Sequence, residues 1–129
     1  MNAICRYTIL TIYLIGISGC SILQTKPSVN WIGYTEKGKA SFYANRHQNR
    51  KTASGEPYKY ELQTAAHKEL PFGSMVRVTN LDNGKSVIVK INDRGPFAKG
   101  RIIDLSRSAF QKIGNTSKGI IEVQIEVLK

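Results

Sequence analysis

Apolar and polar residues alternate most regularly in two stretches, Ser86–Asn92 and Ile120–Leu128, and a period of two predicts strands with one buried face. Val87, Val89 and Ile91 share a face in the first; Ile121, Val123, Ile125 and Val127 point inward in the second. Met75–Thr79 alternates too, with Val76 and Val78 opposite Met75, Arg77 and Thr79, and Leu81-Asp82-Asn83-Gly84 then supplies an Asn-Gly hairpin signal. Gly38–Tyr43, with Ala40 and Phe42 on one side, and Leu62–Ala66 read as further strands, and Ile102–Leu105 as a short apolar piece. Only Arg107–Ile113 has helical spacing: Ala109, Phe110 and Ile113 share a face, Ser106 stands ready to cap the start, and Gly114 follows the end. Many short strands, one helix and a small size predict a mainly β fold closed into a compact barrel, since closure removes open edges.

Two polar interruptions carry the candidate chemistry. The strand from Ser86 is expected to stop at Asn92-Asp93-Arg94-Gly95-Pro96, a turn-rich run that delivers a carboxylate and a guanidinium to the end of a rigid element. Asp-Arg in such a turn reads equally as an ion pair that fixes the loop. Asn45–Tyr60 is polar, basic and long for so small a domain, which favours a functional loop.

The 129 residues suit one domain with a modest core. Nineteen Lys and Arg against nine Asp and Glu give a formal charge of +10, so the surface attracts polyanions. The N-terminus chooses among them. Arg6 precedes an apolar run, Ile9–Ile17, shorter than the roughly 20 residues a span needs, and Ile17-Ser18-Gly19-Cys20 resembles a bacterial lipobox whose cysteine is acylated. The expected organisation is therefore a signal peptide over 1–19, a lipid-anchored tether over 20–36, with Trp31 beginning to pack, and a domain over 37–129. Export makes nucleic acid an unsuitable partner, and Ser21 after the cysteine resembles the sorting signal for the outer membrane, facing the periplasm. Cys5 and Cys20 are the only cysteines, so the exported domain has neither thiol catalysis nor a disulfide. No His or carboxylate grouping has metal-ligand spacing, and neither metal nor cofactor is expected.

In order and spacing, Gly38-Lys39-Ala40-Ser41-Phe42-Tyr43, Arg50-Lys51-Thr52-Ala53-Ser54-Gly55-Glu56, Thr64-Ala65-Ala66-His67-Lys68, Leu70-Pro71-Phe72-Gly73, Val76-Arg77-Val78-Thr79-Asn80, Asn92-Asp93-Arg94-Gly95-Pro96-Phe97 and Gly100-Arg101-Ile102-Ile103-Asp104-Leu105-Ser106 resemble the rare lipoprotein A (RlpA) domain. The resemblance covers about 38–128. It implies a six-stranded double-psi β-barrel with one short helix, related to the N-terminal domain of expansins and to family 45 endoglucanases. The implied activity is lytic transglycosylation of peptidoglycan at the β-1,4 bond between N-acetylmuramic acid and N-acetylglucosamine, leaving 1,6-anhydro ends, with a preference for strands lacking stem peptides. The implied functional acids are Glu56 and Asp93, with His67 lining the same site and Asp104 a further candidate. Arg94, Thr52 and Tyr43 are the expected substrate-binding residues, and the domain is expected to act as a monomer.

Glycosidic cleavage asks for these residue types independently: an acid for the leaving oxygen and negative charge for an oxocarbenium-like transition state. Either Glu56 or Asp93 is expected to donate the proton, and the order stays open. Both must then meet across one sugar-sized trench. By themselves, Glu56 also reads as a solvated loop acid, His67 as a packing residue, Asp104 as an aid to the helix start and Arg94 as a clamp on Asp93. The chain departs from the family at His47-Gln48-Asn49, where many members carry Phe-His-Gly, and it ends at Lys129 without the SPOR module of many members, so septal targeting is not implied. Two other classes compete: a wall-binding or expansin-like loosening module without turnover, and a basic domain bridging anionic lipid or wall polymers.

Overall fold

The computed structural model describes residues 16, 19 and 28–129. Cys20 and, apart from Gly16 and Gly19, the expected signal peptide lie outside them. Six strands are β1 (Thr35–Phe42), β2 (Thr64–Ala66), β3 (Met75–Asn80), β4 (Ser86–Asp93), β5 (Arg101–Leu105) and β6 (Ile121–Val127), with helix α1 (Arg107–Ile113) between the last two. They close into a barrel in the order β1-β5-β2-β4-β3-β6. The β1–β5 and β2–β4 pairs are parallel and the others antiparallel.

The alternation read from the sequence is the inside of this barrel. Val76, Val78, Val89, Ile91, Ile103, Leu105, Val123 and Ile125 are fully buried in one cluster. Asn83-Gly84 turns β3 into antiparallel β4, with Val78 opposite Val87. Helix α1 packs against β1, β4 and β5 and adds Ala109, Phe110 and Ile113 to the cluster. Phe110 meets Phe42 at a ring-centroid distance of 4.7 Å. Ser106 Oγ caps the helix by accepting from Ala109 N at 3.4 Å. At the other end the Ile113 carbonyl accepts the side-chain amides of Asn80 at 2.8 Å and Asn83 at 2.9 Å, so the hairpin satisfies a helix terminus that would otherwise lack a partner.

Several boundaries differ from the sequence reading, each because a partner strand overrides the local pattern. β1 begins at Thr35, three residues before the expected start, since β6 pairs with it from Thr35↔Glu126 onward. The short apolar piece, with Arg101 before it, forms β5, held between β1 and β2. Leu62 lies in a turn, 53% exposed, and β2 starts only at Thr64. The expected stop before Asn92-Asp93 is also corrected: both belong to β4, where Asp93 pairs with Ala66 across a register shift that leaves Asn92 as the extra residue. Gly114 is extended, φ −159°, rather than left-handed; an added Cβ there would sit 3.4 Å from Ile121 Cδ1, so the glycine serves close packing.

Candidate active site

The register shift in β4 decides where the acids point. Thr64 pairs with Lys90 and Ala65 with Ile91, but Ala66 pairs with Asp93, so the bulge turns Asp93 to the outer face shared with Lys90. On its other side Ala66 pairs with Asp104 of β5, and Asp104 pairs with Ser41 of β1. Ser41, Asp104, Ala66 and Asp93 thus form one row across four strands. Two strand spacings put the Cα atoms of the two aspartates about 10 Å apart, with only a methyl group between them.

Each carboxylate is held. Asp93 Oδ2 accepts from the Tyr43 hydroxyl at 2.5 Å, and Oδ1 accepts from Ala53 N and Arg94 N, both at 2.9 Å. Asp104 accepts from the Ser41 hydroxyl and lies 3.7 Å from Arg101 Nη2. Tyr43 is the side-chain donor to Asp93: its ring packs against Tyr58 at 4.5 Å, and burial, then the hydrogen bond to Asp93, then the charges of Asp93 and Asp104 push its phenol far above the ordinary value. Tyr43 therefore stays a donor to Asp93 throughout the physiological range. Burial likewise raises Tyr58, opposed by the backbone N–H of Arg107, which donates to its oxygen at 3.2 Å. Stability against urea is expected to decline as the pH rises above 10.0, the ordinary tyrosine value, because the unfolded chain then releases a proton that folded Tyr43 retains. Urea melts between about pH 8 and about pH 11 check the slope, and Tyr43→Phe is expected to flatten it.

The loop carrying Glu56 is folded onto the end of β4. Ser54 N donates to Asn92 O at 3.1 Å, and Lys51 bridges to Pro57. The Glu56 carboxylate reaches Lys90 Nζ at 2.9 Å while its side chain stays 49% exposed. Since Lys90 and Asp93 share the outer face, Glu56 and Asp93 open toward the same side of the barrel. Thr52 is buried, its hydroxyl donating to Glu56 O at 2.7 Å and sharing a bond with Ser54 Oγ at 2.9 Å; it braces the loop instead of facing a ligand.

Two expectations are corrected. Arg94 does not clamp the Asp93 carboxylate with its guanidinium: Nη1 donates to His67 O at 3.2 Å and Leu70 O at 2.8 Å, and the group lies 4.1 Å above the Phe72 ring. The His67 ring does not line the aspartate row. It is buried against the start of β1, where Nδ1 accepts from Glu69 N and Leu70 N, both at 3.1 Å, and Nε2 therefore donates to Glu36 Oε2 at 3.1 Å. His67 and Arg94 together stiffen the 67–73 connection behind the acids, and the His67 backbone N–H reaches Asp93 O at 3.2 Å. Sequence reading missed Ser41, Tyr58, Ala66 and Glu36, whose places depend on register between distant strands and on loop folding, not on local pattern. Among the described residues no group of three His, Cys, Asp or Glu side chains is gathered as metal ligands would be.

Solved structures share this architecture. The Streptomyces papain inhibitor aligns at TM-score 0.62 and 23% identity, over 76% of this chain and 97% of its own; a mutant Clavibacter michiganensis expansin in complex with cellohexaose aligns at 0.60 and 22%, over 74% and 51%. The fold is that of the expansin-like double-psi β-barrels. Residues 35–125 match the lytic transglycolase family model, and the chain belongs to that family. Proteins named endolytic peptidoglycan transglycosylase RlpA are similar to it: that of Pasteurella multocida is 53% identical over 82% of this chain, that of Vibrio cholerae 54% over 74%, and that of Neisseria meningitidis 55% over 72%. The aligned region spans 36% to 39% of the length of these relatives.

Proposed function

We propose that this domain cleaves peptidoglycan by lytic transglycosylation between N-acetylmuramic acid and N-acetylglucosamine, leaving 1,6-anhydro ends and preferring strands without stem peptides. The observation that carries the reading is the outer row of Asp93 and Asp104, with Tyr43 donating to Asp93 and Glu56 opening onto the same face, in a member of the lytic transglycolase family. Asp93, fixed by three donors, supplies negative charge to the developing oxocarbenium ion. Glu56, half exposed with its carboxylate on Lys90, takes the acid–base role. It gives a proton to the glycosidic oxygen as the C1–O bond breaks; the C6 hydroxyl of the same sugar then bonds to C1, and its proton returns to Glu56, with no water consumed. His67 acts as a positioning residue for the connection behind Asp93, and Asp104 with Ser41 lines the groove. We place the domain at the outer membrane, held through lipid on Cys20 and facing the periplasm.

One observation favours a binding module without turnover: both oxygens of Asp93 already hold protein donors. Mass spectrometry of peptide-free glycan strands after incubation with the protein separates the two. Anhydro ends support the transglycosylase, reducing ends indicate a hydrolase, and binding without products indicates the module.

A further inference from the structure

Two turns that the cleavage chemistry does not use, residues 29–32 and 71–74, face each other across an open depression of about 310 Å³ with Lys129 at its edge. Its walls are apolar and open to solvent: Val29 is 67% exposed, Ile32 65% and Phe72 43%. Trp31, half-buried, packs against the barrel core between them. No acidic side chain among the described residues lines the depression, and the Arg94 guanidinium lies 4.1 Å from the Phe72 ring centre.

Both walls are fixed to the barrel. Gly33 N donates to Val127 O at 2.8 Å and Val127 N to Tyr34 O at 2.9 Å, so the first turn is joined to the end of β6. Within it, Tyr34 N donates to Trp31 O at 2.9 Å and Ile32 N to Asn30 Oδ1 at 3.1 Å. In the other wall, Gly73 N donates to Ile91 O at 2.8 Å and the Ser74 hydroxyl to Pro71 O at 2.6 Å. Trp31 and Tyr34 meet edge to face at 5.1 Å, with the Tyr34 hydroxyl turned to Glu36 Oε2 at 3.3 Å. A single exposed apolar side chain needs no explanation. Three of them on rigid supports, beside two aromatic rings with polar tips, have the chemistry of a membrane interface, where Trp and Tyr sit at headgroup level and aliphatic groups reach deeper.

The position of this face along the chain singles out its occupant. Val29 follows Cys20 by nine residues, a reach of at most about 32 Å. That is close to the diameter of a domain of this size, so a bilayer holding lipid on Cys20 stays within one domain width of the turn. At such a reach the effective concentration is high, and a contact too weak to hold a free protein is enough. The excess of nineteen Lys and Arg over nine Asp and Glu favours a leaflet with anionic headgroups. We propose that Val29, Trp31, Ile32 and Phe72 form the face by which the domain docks on the lipid surface that carries its anchor; the proposal rests on the acylation of Cys20 proposed above. Trp31 and Tyr34 then lie among the headgroups, and Val29, Ile32 and Phe72 enter the upper acyl region.

Trp31 is the only tryptophan of the chain, so its fluorescence reports on this face alone. The test reconstitutes the lipidated protein into vesicles of phosphatidylethanolamine and phosphatidylglycerol whose acyl chains are either plain or brominated near the headgroup. In brominated vesicles Trp31 is expected to lose about half its emission, because a ring set about 5–10 Å into the headgroup and acyl boundary lies beside the bromines. The double variant Val29→Asp with Ile32→Asp is expected to regain the emission while still floating with the vesicles, and Phe72→Gln, on the other wall, to weaken the quenching by itself. Leu81→Asp, a similarly exposed apolar position at the opposite end of β3 from Ser74, is expected to leave the quenching intact. Full emission from unaltered protein that floats, or quenching undiminished in the double variant, overturns the docking face and leaves the anchor standing. Emission that escapes the bromines but shifts to the blue as more protein is packed into each vesicle places a second copy on the face and overturns it as well. Protein that does not float overturns the anchor and the docking together.

Discussion

Asp93→Asn is expected to lower the rate of anhydro-end formation by about 10²–10³-fold, the range that losing one preorganised electrostatic stabiliser costs. The loss has a structural reason besides the missing charge. Both oxygens of Asp93 are acceptors, Oδ2 for the Tyr43 hydroxyl and Oδ1 for two backbone N–H groups. In an asparagine Oδ1 keeps the two backbone N–H groups while Nδ2 donates to the Tyr43 oxygen, whose hydroxyl turns away, so charge-assisted bonds become neutral ones at a cost of about 1 kcal/mol. Urea unfolding of Asp93→Asn is therefore expected to show a lower midpoint alongside the rate loss. Glu56→Gln is the contrast. It is expected to reduce the rate by about 10²–10⁴-fold, the range a positioned acid or base supplies, with little change in the midpoint, because Glu56 is half exposed and its Lys90 partner is solvated. Full-rate product formation by either variant, read by mass spectrometry, would remove that acid from the mechanism.

Phe110→Ala carries the largest expected loss of stability, about 3–5 kcal/mol, set against a total of about 5–15 kcal/mol for a domain. Phe110 is fully buried, fills the space between α1 and the barrel, and touches Phe42. The effect reaches the site, since α1 follows directly on β5, which carries Asp104, and begins with Arg107. Urea denaturation compared with the unaltered protein measures the loss; a shift under 1 kcal/mol, by the usual cost of surface changes, would mean that the helix is not part of the core.

Much of the barrel could be read directly from side-chain periodicity. Ile121, Val123, Ile125 and Val127 alternate because one face of β6 meets the core and the other meets solvent, and the same holds for Val87, Val89 and Ile91. Helix α1 was legible down to its Ser106 cap because capping is a local hydrogen bond. β1 was harder to bound: Thr35–Lys39 is polar and broken by Gly38, and it is extended because β6 lies beside it. Gly38 has its own reason, since a Cβ there would stand 2.6 Å from Ile102 Cγ2. The candidate acids were visible only through motifs. Nothing in the local pattern tells a bulged Asn92 from a turn residue, yet that single extra residue sends Asp93 outward.

The amino-acid sequence alone determined the mainly β class, the inward face of each long strand, the hairpin at Asn83-Gly84, the capped helix and the resemblance that names Glu56 and Asp93. Each of these is a matter of neighbours a few positions apart or of motifs kept in order. Tertiary structure decided which polar groups meet: that Asp104 joins Asp93 across Ala66, that Tyr43 donates to Asp93, and that His67 and Arg94 turn to Glu36 and to backbone carbonyls. Those pairings span up to 50 residues between Tyr43 and Asp93 and depend on register, which closure of the barrel sets for all six strands together.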